Sequence, residues 1–186
     1  MYVKSGGDSH LCTLCRQKKY AFERARAVFC YNDKIGKLIH SLKFSGKKTG
    51  LSTMAVLAQN SSLADLSSPD IIVPVPLHPL KLKGRGFNQS LLLAQVFFPD
   101  QKAKIHHCLV RSRHTRPQTG LKGDERRKNV VGAFLVRETE RVQGKKICLV
   151  DDVFTTGTTV NECAKTLKKA GAASVEVATL AMVVKL

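Results

Sequence analysis

Ile147-Cys148-Leu149-Val150-Asp151-Asp152-Val153-Phe154-Thr155-Thr156-Gly157-Thr158-Thr159 is the stretch whose reading decides the fold. Four apolar residues run into two adjacent acids, and a hydroxyl-rich turn with one glycine follows. A short unbroken apolar run is the pattern of a strand covered on both faces. Beyond the turn, Val160, Cys163, Ala164 and Leu167 recur at i, i+3, i+4, i+7, one helical stripe, with Lys165, Lys168 and Lys169 toward its end and Gly171 as a stop. The turn combines backbone N–H groups, Thr hydroxyls and the positive end of a helix, the ingredients of a phosphate cradle. The two carboxylates before it can hold ribose hydroxyls or a magnesium ion. The same residues also suit a plain α/β turn with a helix cap and a solvated acid pair.

Upstream, a similar unit recurs. Asp70 to Leu77 reads as a buried strand running into Pro74 and Pro76, which stop ladder pairing. Lys81-Leu82-Lys83-Gly84-Arg85-Gly86-Phe87-Asn88-Gln89-Ser90 reads as a basic loop entering a helix through Leu93 and Val96. Arg85 offers a charged fork suited to phosphate oxygens, and the two glycines allow close backbone approach. The bland alternative is a basic surface turn with an Asn or Ser cap.

The remaining segments fill out an alternating pattern. Ala27 to Tyr31 reads as a strand, Asp33 as an N-cap, and Ile35, Leu38, Ile39 and Leu42 as a helical stripe. A second helix spans Leu51 to Gln59, and Ser61 to Pro69 is a loop. Strand-like sequence returns at Ile105 to Val110, at Asn129 to Phe134 and at Val175 to Val184. Between the first two of these, Arg111 to Lys128 is the most charged stretch. A long basic loop between strands is uncommon unless it is disordered or works as a lid.

The chain has 186 residues and a net charge of +17, a field that favours polyanions such as a sugar diphosphate, single-stranded nucleic acid or an acidic protein. Aromatic residues make up 6% and Trp is absent, leaving few platforms for stacking bases. No transmembrane span and no signal peptide are visible, so a cytoplasmic location is expected. Cys108, Cys148 and Cys163 read as small core residues of a reducing compartment. Cys12 and Cys15 form a lone Cys-x-x-Cys pair, half of a zinc site, with His10 and Cys30 as candidates to complete it against the plain alternative of a turn with two free thiols.

Taken in order, Val73-Pro74-Val75-Pro76, Arg85-Gly86-Phe87-Asn88-Gln89-Ser90, Arg116-Pro117-Gln118-Thr119-Gly120-Leu121, Arg126-Arg127-Lys128-Asn129-Val130 and the Asp-Asp…Thr-Thr-Gly-Thr-Thr block resemble the ComF/GntX group of type I phosphoribosyltransferases. The resemblance implies an α/β fold with a mostly parallel central sheet flanked by helices, over residues 27–186. Residues 1–26 would be a short remnant of a zinc-ribbon-like segment, since the group commonly carries two Cys-x-x-Cys pairs. It implies phosphoribosyl pyrophosphate (PRPP) as ligand, with Asp151 and Asp152 on the ribose hydroxyls and serving Mg2+. Thr155, Thr156, Gly157, Thr158 and Thr159 would wrap the 5′-phosphate, and Lys83 and Arg85 would face the diphosphate. Arg116 and Gln118 would reach in from a lid, and Cys12 and Cys15 would hold Zn2+. The expected role is DNA uptake in competence, as a transferase acting on PRPP. The alternatives are a non-catalytic sensor that binds single-stranded DNA or a helicase partner, and a nucleobase-salvage transferase.

Overall fold

The computed structural model describes residues 2–5, 8–11, 20–44, 51–113 and 129–184. Its frame is a four-stranded parallel sheet of β3 (Arg24–Cys30), β4 (Ile71–Pro74), β7 (Lys146–Phe154) and β8 (Ser174–Met182), in the order β3-β8-β7-β4. The two innermost strands, β7 and β8, are the longest of the four at nine residues each and are buried along almost their whole length, as a sheet covered on both faces requires. Helices α1 (Asp33–Phe44), α2 (Leu51–Gln59) and α4 (Gln89–Phe97) pack on one face, against Ile72, Cys148, Val150, Ala178 and Leu180. Helix α6 (Thr158–Lys169) covers the other, its Val160, Cys163, Ala164 and Leu167 meeting Ile147, Leu149, Val175 and Val177. All four stripe residues are almost fully buried, as the helical spacing requires. The architecture is the α/β sandwich expected from sequence.

Several local expectations need correction. The first strand begins at Arg24, and β4 ends at Pro74, sooner than the run to Leu77 suggested. The acids do not lie past the end of a strand, because β7 continues through both of them to Phe154. Its alternation slips there: Ile147 and Leu149 share one core and Cys148 and Val150 the other, yet Val153 joins the second and Phe154 the first. The basic stretch after β4 is not a loop but a short helix, α3 (Pro79–Arg85). His78 accepts the Leu80 N–H at its start and Gly86 takes the left-handed conformation at its end. Ser62–Asp65 forms a 3-10 turn inside the expected 61–69 loop.

Two further pairings escaped the sequence reading. β1 (Tyr2–Ser5) and β2 (Asp8–Leu11) form an antiparallel hairpin within residues 1–26, for which no strand was expected. β5 (Leu109–Arg111) and β6 (Phe134–Val136) form an antiparallel ribbon outside the main sheet. The strand expected at Asn129 to Phe134 therefore starts only at Phe134. Ser112 N–H donates to Ala133 O at 2.9 Å, and the Arg113 guanidinium donates to Val131 O at 2.7 Å. These contacts hold the two ends of the intervening stretch side by side. A four-residue helix, α5 (Thr139–Val142), leads back to β7.

Candidate functional site

Parallel strands put their carboxyl ends on one edge, and ligands of open α/β sheets bind in the crevice beyond it. Here that edge opens onto a cavity of about 910 Å3. Asp151, Asp152 and Thr155 to Thr159 line it from the β7–α6 junction, and Lys81 and Arg85 from α3. Arg111 lines it from β5, and Tyr31, Gly36, His40 and Lys43 from the β3–α1 unit.

The acid pair is held from three directions. Asp151 Oδ1 accepts the Ser90 hydroxyl at 3.1 Å and the Asp152 N–H at 2.9 Å. Asp152 Oδ1 accepts the Val153 N–H at 2.9 Å. Asp152 Oδ2 makes no hydrogen bond of ordinary geometry, and the contact it has is an ion pair with the Lys43 ammonium. Both carboxylates are 8% exposed. Burial, and secondly the neighbouring Asp152 charge, push the Asp151 carboxyl up to about 7.

The turn that follows is shaped by one glycine. Gly157 sits at φ 71°, and a Cβ there would lie 2.6 Å from the Phe154 ring and 3.2 Å from that of Tyr20. No L side chain suits that backbone, and none would fit the space. Gly157 is also the N-cap of α6, and it provides no side-chain hydrogen bond to the first turn. The start of this helix, with a glycine rather than a side chain as its cap, opens onto the cavity, where its positive end suits an anion. Tyr20 braces the turn by donating to Thr156 O at 3.2 Å, and the Thr156 and Thr158 hydroxyls bond each other at 2.7 Å.

The cationic wall comes from α3 and β5. Lys81 and Arg85 are four residues apart and so share one helix face. Lys83, two residues from each, is turned to the opposite side; it is exposed and does not line the cavity. Of the two lysines it is thus Lys81, and not Lys83 as the sequence suggested, that lines the cavity, because a helix rotates successive residues where a loop need not. Burial, then Arg111, then Arg85 depress the Lys81 ammonium below its ordinary value. Such cations are gathered closely enough to repel one another. Arg111 is 9% exposed, and its guanidinium lies 5.4 Å over the Phe134 ring.

Three neighbours in sequence hold this geometry together. Asn88 accepts the Ser90 N–H at 3.0 Å as the cap of α4 and donates to Val75 O at 3.1 Å, tying the helix start to the end of β4. Gln89 accepts from the Arg85 guanidinium at 2.5 Å. Ser90 bonds Asp151. The sequence reading singled out Arg85 from this block and offered an Asn or Ser cap, which Asn88 supplies, but it missed the positioning roles of Gln89 and Ser90. It also missed Lys43, His40 and Arg111. A signal existed for α1, where Gly36, His40 and Lys43 fall along one side of the helix.

Arg116 and Gln118 lie outside the described residues, as do Cys12 and Cys15, and the zinc expectation gains no support. Cys30 is exposed at the end of β3, while Cys108, Cys148 and Cys163 are buried as expected. Among the described residues no cluster of three His, Cys, Asp or Glu side chains could cage a metal. The acid pair offers two carboxylates, one already engaged by Lys43. With Lys43 on Asp152, that donor set leaves little for direct coordination, so a magnesium ion here would be held chiefly by ligand oxygens and water, as this hard cation commonly is beside phosphates.

Comparison with known proteins bears on this arrangement. Residues 86–183 match the phosphoribosyl transferase domain family. The chain is 38% identical over 181 residues to the DNA utilization protein YhgH of Escherichia coli (strain K12), covering 91% of this chain and 77% of that one. It is 30% identical over 177 residues to competence protein F of Haemophilus influenzae, covering 89% and 76%. Competence protein ComFC of Bacillus subtilis is 33% identical over 159 residues, covering 83% and 62%. With the parallel sheet, the acid pair and the glycine turn in the order seen here, the chain belongs to the phosphoribosyl transferase domain family, in the group of the competence F and YhgH proteins.

Proposed function

We propose that this protein binds PRPP, or a closely related phosphoribosyl ligand, in the cavity at the carboxyl edge of its sheet, and that it acts in DNA utilisation or uptake in the cytoplasm. One observation carries the reading. A buried acid pair runs directly into a helix start whose cap is a glycine and shares a cavity with Lys81, Arg85 and Arg111. Acids for hydroxyls, amides for one phosphate and cations for a second phosphate group match the three parts of such a ligand.

In this reading Asp151 and Asp152 take the ribose hydroxyls, the Thr155–Thr159 turn takes the 5′-phosphate, and Lys81, Arg85 and Arg111 face the diphosphate. Arg116 and Gln118 are proposed to reach in from the connecting stretch. Transfer would break the bond from ribose C1 to the diphosphate oxygen. Pyrophosphate would leave with the electron pair while an acceptor bonds C1. The chain contributes orientation and a preset cationic wall where negative charge grows on the leaving group. Magnesium, when bound, would neutralise further diphosphate charge.

Isothermal titration with PRPP and magnesium tests the site. Wild type should give saturable heat, and Asp151→Asn/Asp152→Asn should lose most of it. An unchanged signal in the double variant would remove the acid pair from the site.

The net charge of +17 favours a second reading, in which the pocket senses a ligand while the basic surface binds single-stranded DNA or a helicase partner. Pyrophosphate release from PRPP with a panel of free nucleobases separates the two. Turnover with any base supports a transferase, including a salvage enzyme, and binding without turnover supports the sensor.

A further inference from the structure

Lys43 is a resident of the site that neither the motifs nor the phosphoribosyl reading requires. It stands in the last turn of α1 and lines the cavity, and its ammonium meets Asp152 Oδ2. The other oxygen of Asp152 already accepts the Val153 N–H. Each oxygen of Asp152 thus has a contact within the chain before any ligand arrives. Around it the balance is one-sided: Lys43, Lys81, Arg85 and Arg111 line the cavity against two carboxylates.

A divalent cation entering this space would have to displace Lys43 from Asp152 to coordinate it directly, while standing among further positive side chains. A phosphate-bearing sugar meets the reverse situation, because its charges complement the wall as it stands. Charge-assisted bonds from ammonium and guanidinium groups do for phosphate oxygens much of what a bridging metal does. We propose that Lys43 is the built-in cation of the acid pair, so that the pocket binds a phosphoribosyl diphosphate without a divalent metal and magnesium competes with Lys43 for Asp152. The inference rests on the phosphoribosyl reading above and concerns binding alone.

The test is titration of the full chain with PRPP, once in excess EDTA and once in magnesium. Wild type should bind in EDTA within about threefold of its affinity with magnesium. Lys43→Met should lose on the order of tenfold or more in EDTA and regain most of it with magnesium. Lys43→Arg, which keeps the cation, should stay close to wild type. Binding by wild type only when magnesium is present overturns the inference and leaves the phosphoribosyl reading standing. So does a Lys43→Met protein that matches wild type in EDTA. Binding in neither condition removes the phosphoribosyl reading, and this inference with it. The wild-type comparison needs no variant, so it decides the matter even where Lys43→Met fails to fold.

Discussion

Asp151 sits at the point where the demands of folding and binding pull apart. As a strand residue it is buried, yet it is an acid beside another acid. Its carboxyl is pushed up to about 7, against roughly 3.9 in an unfolded chain. The folded protein therefore holds a proton that the unfolded chain gives up. The resulting stability is fully present below about pH 4 and is lost as pH rises through 7. Asparagine keeps an oxygen for the Ser90 hydroxyl and the Asp152 N–H but cannot ionise. Asp151→Asn should accordingly raise the unfolding free energy at pH 8 by about 1–3 kcal/mol, with the gain vanishing near pH 4. Thermal or urea denaturation at the two pH values checks this, and a variant less stable than wild type at pH 8 would contradict it.

Among the elements, α3 has the most to say about what could be read in advance. The β7–α6 unit was legible because its signals are local: an apolar run, two acids, one obligatory glycine and a clean helical stripe. The signals of α3 were local too, but Gly84 and Gly86 looked like loop residues. In fact Pro79 starts the helix and Gly86 ends it in the left-handed conformation. Once the helix is recognised, its spacing assigns Lys81 and Arg85 to the cavity and Lys83 to solvent. Lys81→Ala should weaken PRPP binding on the order of tenfold, while Lys83→Ala should leave it within about twofold. Equal losses in the two variants, measured by titration, would mean that the helix face is wrongly assigned. The β5–β6 ribbon and the Lys43–Asp152 pair were illegible for a different reason. Each joins residues far apart in sequence, and no periodicity announces such a partner.

On the scale of the whole molecule, charge is unevenly used. The cavity engages four cationic side chains, a small part of the 31 lysines and arginines. The surplus produces a field felt by any polyanion. If single-stranded DNA uses that field across about six phosphates, affinity should fall on the order of 10²–10³-fold for a fourfold rise in salt. Mobility shift at two salt concentrations measures this, and the absence of a shift at low salt would remove DNA as a partner. No described helix is long and apolar enough to cross a membrane.

The continuation of β7 through Asp151 and Asp152 has an evolutionary consequence. Most groups that face the cavity come from turns and helix ends, where substitution leaves the sheet intact. The acid pair differs, because its charges are built into a central strand, where burial works against them at neutral pH. A lineage that stopped using the pocket would gain stability by shedding the pair, so mutation would tend to erase these acids before it disturbed the architecture. Under the proposed function, descendants carrying the sheet without the acids would record the loss of the ligand.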